Sequence, residues 1–110
     1  MSKVAALKKK AADLEKKSPE KAIAVYVELL GEMEQSPNEM DVALFNRVGD
    51  LMSKAGDVAQ AVDYYERAVD HYLEGGFFNN AIALCSKILR ASPGRATVYY
   101  KLGKISAQKG

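Results

Sequence analysis

The chain has no tryptophan, one cysteine, one histidine, three prolines and no acidic residue after Glu74. The single thiol, Cys85, excludes an intramolecular disulfide and any zinc site built on paired cysteines. Its apolar neighbours mark it as a buried thiol rather than a reactive one. The single imidazole, His71, stands beside Tyr72 and reads as a surface or interface residue, not as a base or metal ligand. No apolar run approaches the roughly 18 residues of a membrane span. The start, Met1 to Lys10, lacks the apolar core of a signal peptide, so a cytoplasmic location is expected. No Walker or dinucleotide glycine motif is present, and Gly75-Gly76 reads as a turn. The apolar/polar alternation of a half-buried strand is missing as well, which leaves helix as the expected structure throughout.

What is present suits one folded domain. The 110 residues are 48% apolar and 27% charged, enough for a modest core and outside the range of disordered chains. Charge is unevenly placed. Residues 1–21 hold seven Lys against three acids, residues 22–80 hold eleven acids against Arg47, Lys54 and Arg67, and residues 81–110 hold six basic residues and no acid. An acidic middle therefore lies between two basic ends.

Breakers divide the chain into six helical segments. The first runs over about 3–17 and the second over 19–35, with Ser18 placed to cap the second and Pro19 at its first position. A third covers about 39–54 and ends at Ala55-Gly56. Asp57 caps the fourth, 58–74, which stops at Gly75-Gly76, where positive backbone dihedrals are expected. The fifth covers 78–91, before Pro93-Gly94, and the sixth 96–108. Each carries apolar residues at three-or-four spacing, as in Ala22, Ile23, Tyr26, Val27, Leu29 and Leu30. Such helices joined by turns of a few residues fold back on their neighbours as antiparallel hairpins.

Parts of the pattern recur. Phe45-x-x-Val48-Gly49-x-x-Met52, Gly56-Asp57 and Ala61-x-x-x-Tyr65-x-x-Ala68 form one series. Tyr99-x-x-Leu102-Gly103 repeats its opening, while Ala22-x-x-x-Tyr26-x-x-Leu29 and Ala81-x-x-x-Cys85-x-x-Ile88 repeat its close. Gly49 and Gly103 are expected to let a paired helix approach, with the alanines at 22, 61 and 81 as matching notches. This series resembles the tetratricopeptide family, and the resemblance covers nearly the whole chain. Departures are visible: Phe45 and Tyr99 stand for the usual Trp, and Met52 and Ser106 for an aromatic. Ala61 and Ala81 are 20 residues apart where about 34 are expected. The helix at 58–74 consequently closes one repeat and reads equally well as the opening helix of the next. The resemblance implies an all-α hairpin solenoid with approximate units 3–36, 42–74 and 77–110, belonging to a longer repeat protein.

No convergent nucleophile, acid and base is visible, so no enzymatic activity and no cofactor are expected. Asp63, Glu66 and Asp70 share a helical face and could suggest acid-base or metal chemistry, yet they read as a solvated acidic face. Lys8, Lys9, Lys10, Lys16 and Lys17 are spread around the first helix without interleaved aromatics, which reads as solvation rather than nucleic-acid or membrane binding. In the family, opening helices line a concave groove that takes a peptide or helix. By motif position that implies Asn46, Asp50, Ser53 and Lys54, then Tyr100 and Lys104, and also Glu66 and Asp70 if the fourth helix opens a repeat. The clamp by which some members hold a chaperone's terminal carboxylate is absent, since the corresponding first-unit positions are Leu7 and Ala11. The acidic middle points to a protein partner carrying Lys or Arg. Self-association through the uneven charge and an uncovered last helix is the alternative.

Overall fold

The computed structural model describes residues 2–109, and every described element is helical. The helices are α1 (Lys3–Lys17), α2 (Pro19–Gln35), α3 (Val42–Lys54), α4 (Val58–Glu74), α5 (Phe78–Ala91) and α6 (Ala96–Lys109). Their bounds follow the expected ones closely except at α3. There Pro37–Glu39 form a single 3₁₀ turn and Met40 is extended, so the α-helix starts only after Asp41.

Local chemistry explains the ends. Ser2 accepts a hydrogen bond from the Ala5 amide at 3.1 Å and Asp57 one from the Gln60 amide at 3.0 Å, each satisfying an otherwise unpaired first-turn donor. Ser18 occupies the capping position of α2, but its side chain makes no capping bond; Pro19 has no N–H to satisfy there. Gly56 and Gly76 adopt φ of +92° and +77° and close α3 and α4. The next amide, Asp57 or Phe77, then donates five residues back to Met52 or Tyr72. Gly75 has φ of −85°, so only one glycine of the pair supplies the positive dihedral.

The buried set is continuous from Val4, Leu7 and Ala11 on α1 to Val98 and Ile105 on α6. Leu29, Leu30, Met33, Phe45, Val48, Val69 and Ile88 have no exposed surface. The alanines at 22, 61 and 81 are all buried at helix contacts. Cys85 is fully buried, and burial pushes its thiol pKa up, away from reactivity. Consecutive helices pack as hairpins, and α4 packs about as extensively on α5 as on α3. That shared position is the structural counterpart of the ambiguous repeat boundary.

Side chains join alternate helices. Arg47 of α3 reaches Glu15 of α1, Lys87 of α5 reaches Asp50 of α3, Arg67 of α4 reaches Glu34 of α2, and Lys101 of α6 reaches Glu66 of α4. The result is two layers, α1, α3 and α5 in one and α2, α4 and α6 in the other, within extents of 43 × 32 × 17 Å.

Gly49 and Gly103, equivalent in the repeat, differ in surroundings. A Cβ on Gly49 would lie 2.7 Å from Cδ1 of Tyr65, whereas one on Gly103 would meet nothing within 4 Å. The close approach expected at Gly103 is therefore not made: no described helix covers that face of α6. Gly103→Ala should raise stability by about 0.5–1 kcal/mol through helix propensity alone. A thermal melt checks this, and a lowered midpoint would mean that the position is occupied.

Candidate functional site

Two polar constellations tie the layers together in the same way. Tyr26 and Tyr65 are each the eighth residue of their helix, counting from Pro19 and Val58. The Tyr26 hydroxyl donates to Glu15 at 2.7 Å, and Glu15 also accepts from Arg47 at 2.7 Å. The Tyr65 hydroxyl donates to Asp50 at 2.6 Å, and Asp50 also accepts from Lys87 at 2.6 Å. Each phenol thus reaches a carboxylate on the preceding helix, which a cation on the next helix of that layer completes. Cys85 holds the eighth position of α5 and cannot continue the series.

The electrostatics follow from this geometry. Burial, then the Glu15 hydrogen bond, pushes the Tyr26 phenol up to about 12, and Tyr65 is raised by burial and Asp50. The bonds from Tyr26 and Arg47 hold Glu15 below its ordinary 4.5. Burial alone would raise Asp50 and Glu66, but bonds from Lys87 and Tyr65, and from Lys101 and Arg95, outweigh it and both carboxyls are lowered.

A pH dependence with a definite sign results. A carboxyl depressed in the folded state contributes stability that is fully present above its unfolded pKa and lost as pH falls through the folded one. Urea midpoints should stay level from about pH 7 to 5 and fall below about pH 4.5, with Glu15→Gln making the fall shallower. A midpoint already dropping steeply between pH 7 and 5 would contradict these roles.

The residues expected to form one groove are divided between the layers. Asn46, Asp50, Ser53 and Lys54 lie on α3. Asn46 accepts from Lys87 at 2.9 Å, Asp50 is engaged as above, and Ser53 and Lys54 are exposed. Glu66 and Asp70 on α4, and Tyr100 and Lys104 on α6, belong to the other layer. Tyr100 is 69% exposed, with the Lys104 ammonium 5.5 Å from its ring centroid. Glu66 is buried and not available to a partner: it accepts from Arg95 at 2.6 Å, Thr97 at 3.1 Å and Lys101 at 2.5 Å.

The acidic face of α4 is therefore solvated at Asp63 and Asp70, both more than half exposed, and buried only at Glu66. Arg95 also bridges Asp63 at 2.9 Å, and Lys101 bridges Asp70 at 2.8 Å. Among the described residues, no group of three His, Cys, Asp or Glu could hold a metal ion. His71 is half-buried, its Nε2 3.5 Å from Glu34 and its ring centroid 5.1 Å from that of Phe45. No helix among the described residues is long and apolar enough to cross a membrane.

Open space lies on both sides of the molecule: a pocket of about 380 Å³ is lined by Glu34 of α2, His71 and Glu74 of α4 and Pro37, Met40 and Val42 between them, and two grooves lie on the α1, α3, α5 layer. Between α1 and α3 is a groove of about 500 Å³ lined by Ala5, Lys8, Lys9, Tyr26, Leu44 and Arg47, among others. Between α3 and α5 is one of about 230 Å³ whose lining includes Asn46, Asn80, Ala83, Lys87 and Arg90. Leu7 and Ala11 are core residues, so the groove-facing residues of α1 lie one position further on than the family pattern implied. Repeat spacing missed Lys8, Lys9, Arg47, Lys87 and Arg90; summing charge helix by helix would have found them. No protein-family model matches the chain, and comparison with curated proteins finds no match.

Proposed function

We propose that this chain is a protein-binding module of tetratricopeptide-like design, an adaptor or scaffold element that receives a polypeptide segment along the α1, α3, α5 layer. The observation that carries the reading is the pair of neighbouring grooves on that layer, with α3 forming a wall of each. The recurring tyrosine–carboxylate–cation ties hold the groove walls at fixed separations, which lowers the ordering cost of binding. Tetratricopeptide-like repetition supports it through the matched positions of Ala22 and Tyr26 in α2 and Ala61 and Tyr65 in α4. A buried, unpaired Cys85 suits a cytoplasmic setting.

Selection from a displayed random-peptide library tests the proposal. Enriched peptides should bind the parent chain, lose binding to Asn46→Ala/Ser53→Arg, and keep it with Glu28→Ala on the opposite layer. No enriched peptide, or binding indifferent to the α3 changes, would overturn it.

A second reading, self-association, is favoured by one observation. Tyr99 and Tyr100 are 54% and 69% exposed on α6, on the side where Gly103 is uncovered. Light scattering at low and high salt tests it: a dimer persisting at both salts would support pairing through this face, and a monomer at both would remove it. A dimer dissolved by salt would instead support pairing of the basic ends with the acidic centre, although several of those charges already meet within one chain.

A further inference from the structure

Charge is sorted by layer. α1 carries six Lys against Asp13 and Glu15, α3 carries Arg47 and Lys54 against Asp50, and α5 carries Lys87 and Arg90 with no acid. In the other layer α2 has four Glu against Lys21, and α4 has Asp63, Glu66, Asp70 and Glu74 against Arg67. The net is +7 for the layer with the grooves and −3 for the other, where Lys101, Lys104 and Lys109 of α6 offset half of the −6 on α2 and α4.

The acids that gave the middle of the chain its sign are largely answered within the fold. Glu34, Asp41, Asp50, Asp63, Glu66 and Asp70 all have basic partners, and those of Asp41, Asp50, Asp63, Glu66 and Asp70 come from the basic ends. The expected basic partner loses its premise. Cations remain on the groove side instead. Lys8, Arg47 and Lys87 each have a carboxylate partner, Asp41, Glu15 and Asp50, but Lys9 and Arg90 line the grooves with no ion pair among the described residues. Lys54, exposed at the end of α3, also forms no ion pair among the described residues but lines neither groove.

Resting on the reading of this layer as a protein-binding face, the structure assigns it an acidic polypeptide segment as partner, with Lys9 and Arg90 receiving Asp or Glu side chains. Charge complementarity sets the sign of the occupant. Amide side chains at Asn46 and Asn80 and apolar Leu44, Ala5 and Ala83 add contacts suited to a peptide. A nucleic acid is the poorer match. The groove rings are Tyr26, buried with its hydroxyl bound to Glu15, and Tyr72, half-buried with Phe77 edge-on against it, while the exposed rings Phe77, Tyr99 and Tyr100 line neither groove, so the grooves offer no fully exposed ring on which bases could stack. Glu15, Asp41 and Asp50 also interrupt any continuous track for a phosphate backbone.

The test is fluorescence anisotropy with three labelled probes: a peptide of about a dozen residues alternating Glu with Leu and Ala, the same peptide with Lys for Glu, and a single-stranded oligonucleotide of similar charge. The acidic peptide should bind most tightly and weaken as NaCl rises from about 50 to 200 mM. Lys9→Glu/Arg90→Glu should weaken it by about tenfold or more, while Lys10→Glu/Lys21→Glu, equal in charge but away from the grooves, should change it by less than about threefold. Equal losses in both variants, no measurable binding, or tighter binding of the oligonucleotide would overturn the inference. Library peptides that depend on α3 but carry Lys or Arg would overturn it while leaving the protein-binding reading intact; no library peptide at all would remove both.

Discussion

Gly49→Leu should destabilise the fold by about 3 kcal/mol, the upper end of what overpacking costs a well-filled core. A Cβ at this position would stand 2.7 Å from Cδ1 and 3.0 Å from Cζ of Tyr65, well inside contact distance, before any further carbon of the leucine is placed. Whether the substitution is tolerated depends on whether the ring can move. Tyr65 is buried, its hydroxyl is held by Asp50 at 2.6 Å, and the Lys87 ammonium lies 4.6 Å from its ring centroid. Displacing the ring therefore strains a tie joining α3, α4 and α5. Gly49→Ala adds only the Cβ and gains about 1 kcal/mol of helix propensity, so its net cost should be smaller. Urea denaturation of both variants is the measurement. A Gly49→Leu midpoint equal to the parent's would mean that α4 does not close on α3 as described.

Six helices and most of their ends were legible in the sequence because breakers and caps act locally. Gly56 with Asp57, and Gly76 at the end of α4, set their turns through backbone freedom and short-range hydrogen bonds, which neighbours in space do not alter. The start of α3 was less legible: Asn38 and Glu39 are compatible with helix, and only the 3₁₀ turn at Pro37 and the extended Met40 separate them from it. Gly49 was correctly read as a close approach and Gly103 was not, although both follow a large residue and a branched apolar one. The motif specifies a notch, and whether something fills it depends on a second helix that the motif does not contain.

The candidate site was less legible than the fold for a related reason. Spacing places Asn46, Asp50, Ser53 and Lys54 on one stripe of α3, but it does not say which layer α6 joins. Ion pairs from Arg95 and Lys101 to α4 place α6 beside α4, taking Tyr100 and Lys104 away from the α3 stripe. Charge blocks along the chain misled in a similar way. The acidic middle and basic ends look like features offered to a partner, yet most acids of the middle are held in internal pairs, several linking one helix to the next but one, while most of the N-terminal lysines remain without an ion pair among the described residues. Net charge by layer separates what the fold consumes from what it leaves exposed.

Glu66→Ala should cost about 2 kcal/mol and act first on α6. Glu66 is the point at which Arg95, Thr97 and Lys101 converge, with its side chain only 11% exposed. Removing one member of a buried pair typically costs about 3–5 kcal/mol because the other charge is left without compensation. Here Arg95 retains Asp63 and Lys101 retains Asp70, and both of those acids are more than half exposed, so the lower figure applies. Glu66→Gln keeps the shape and one acceptor and should recover part of the loss. α6 contributes few buried side chains, Val98 and Ile105 foremost, so its packing alone holds it weakly. Hydrogen exchange should show the amides of α6 losing protection in Glu66→Ala while those of α3 and α4 change little. Protection lost evenly across all six helices would mean that α6 folds as one unit with the rest, and that the ion-pair cluster stabilises the whole solenoid instead of docking its last helix.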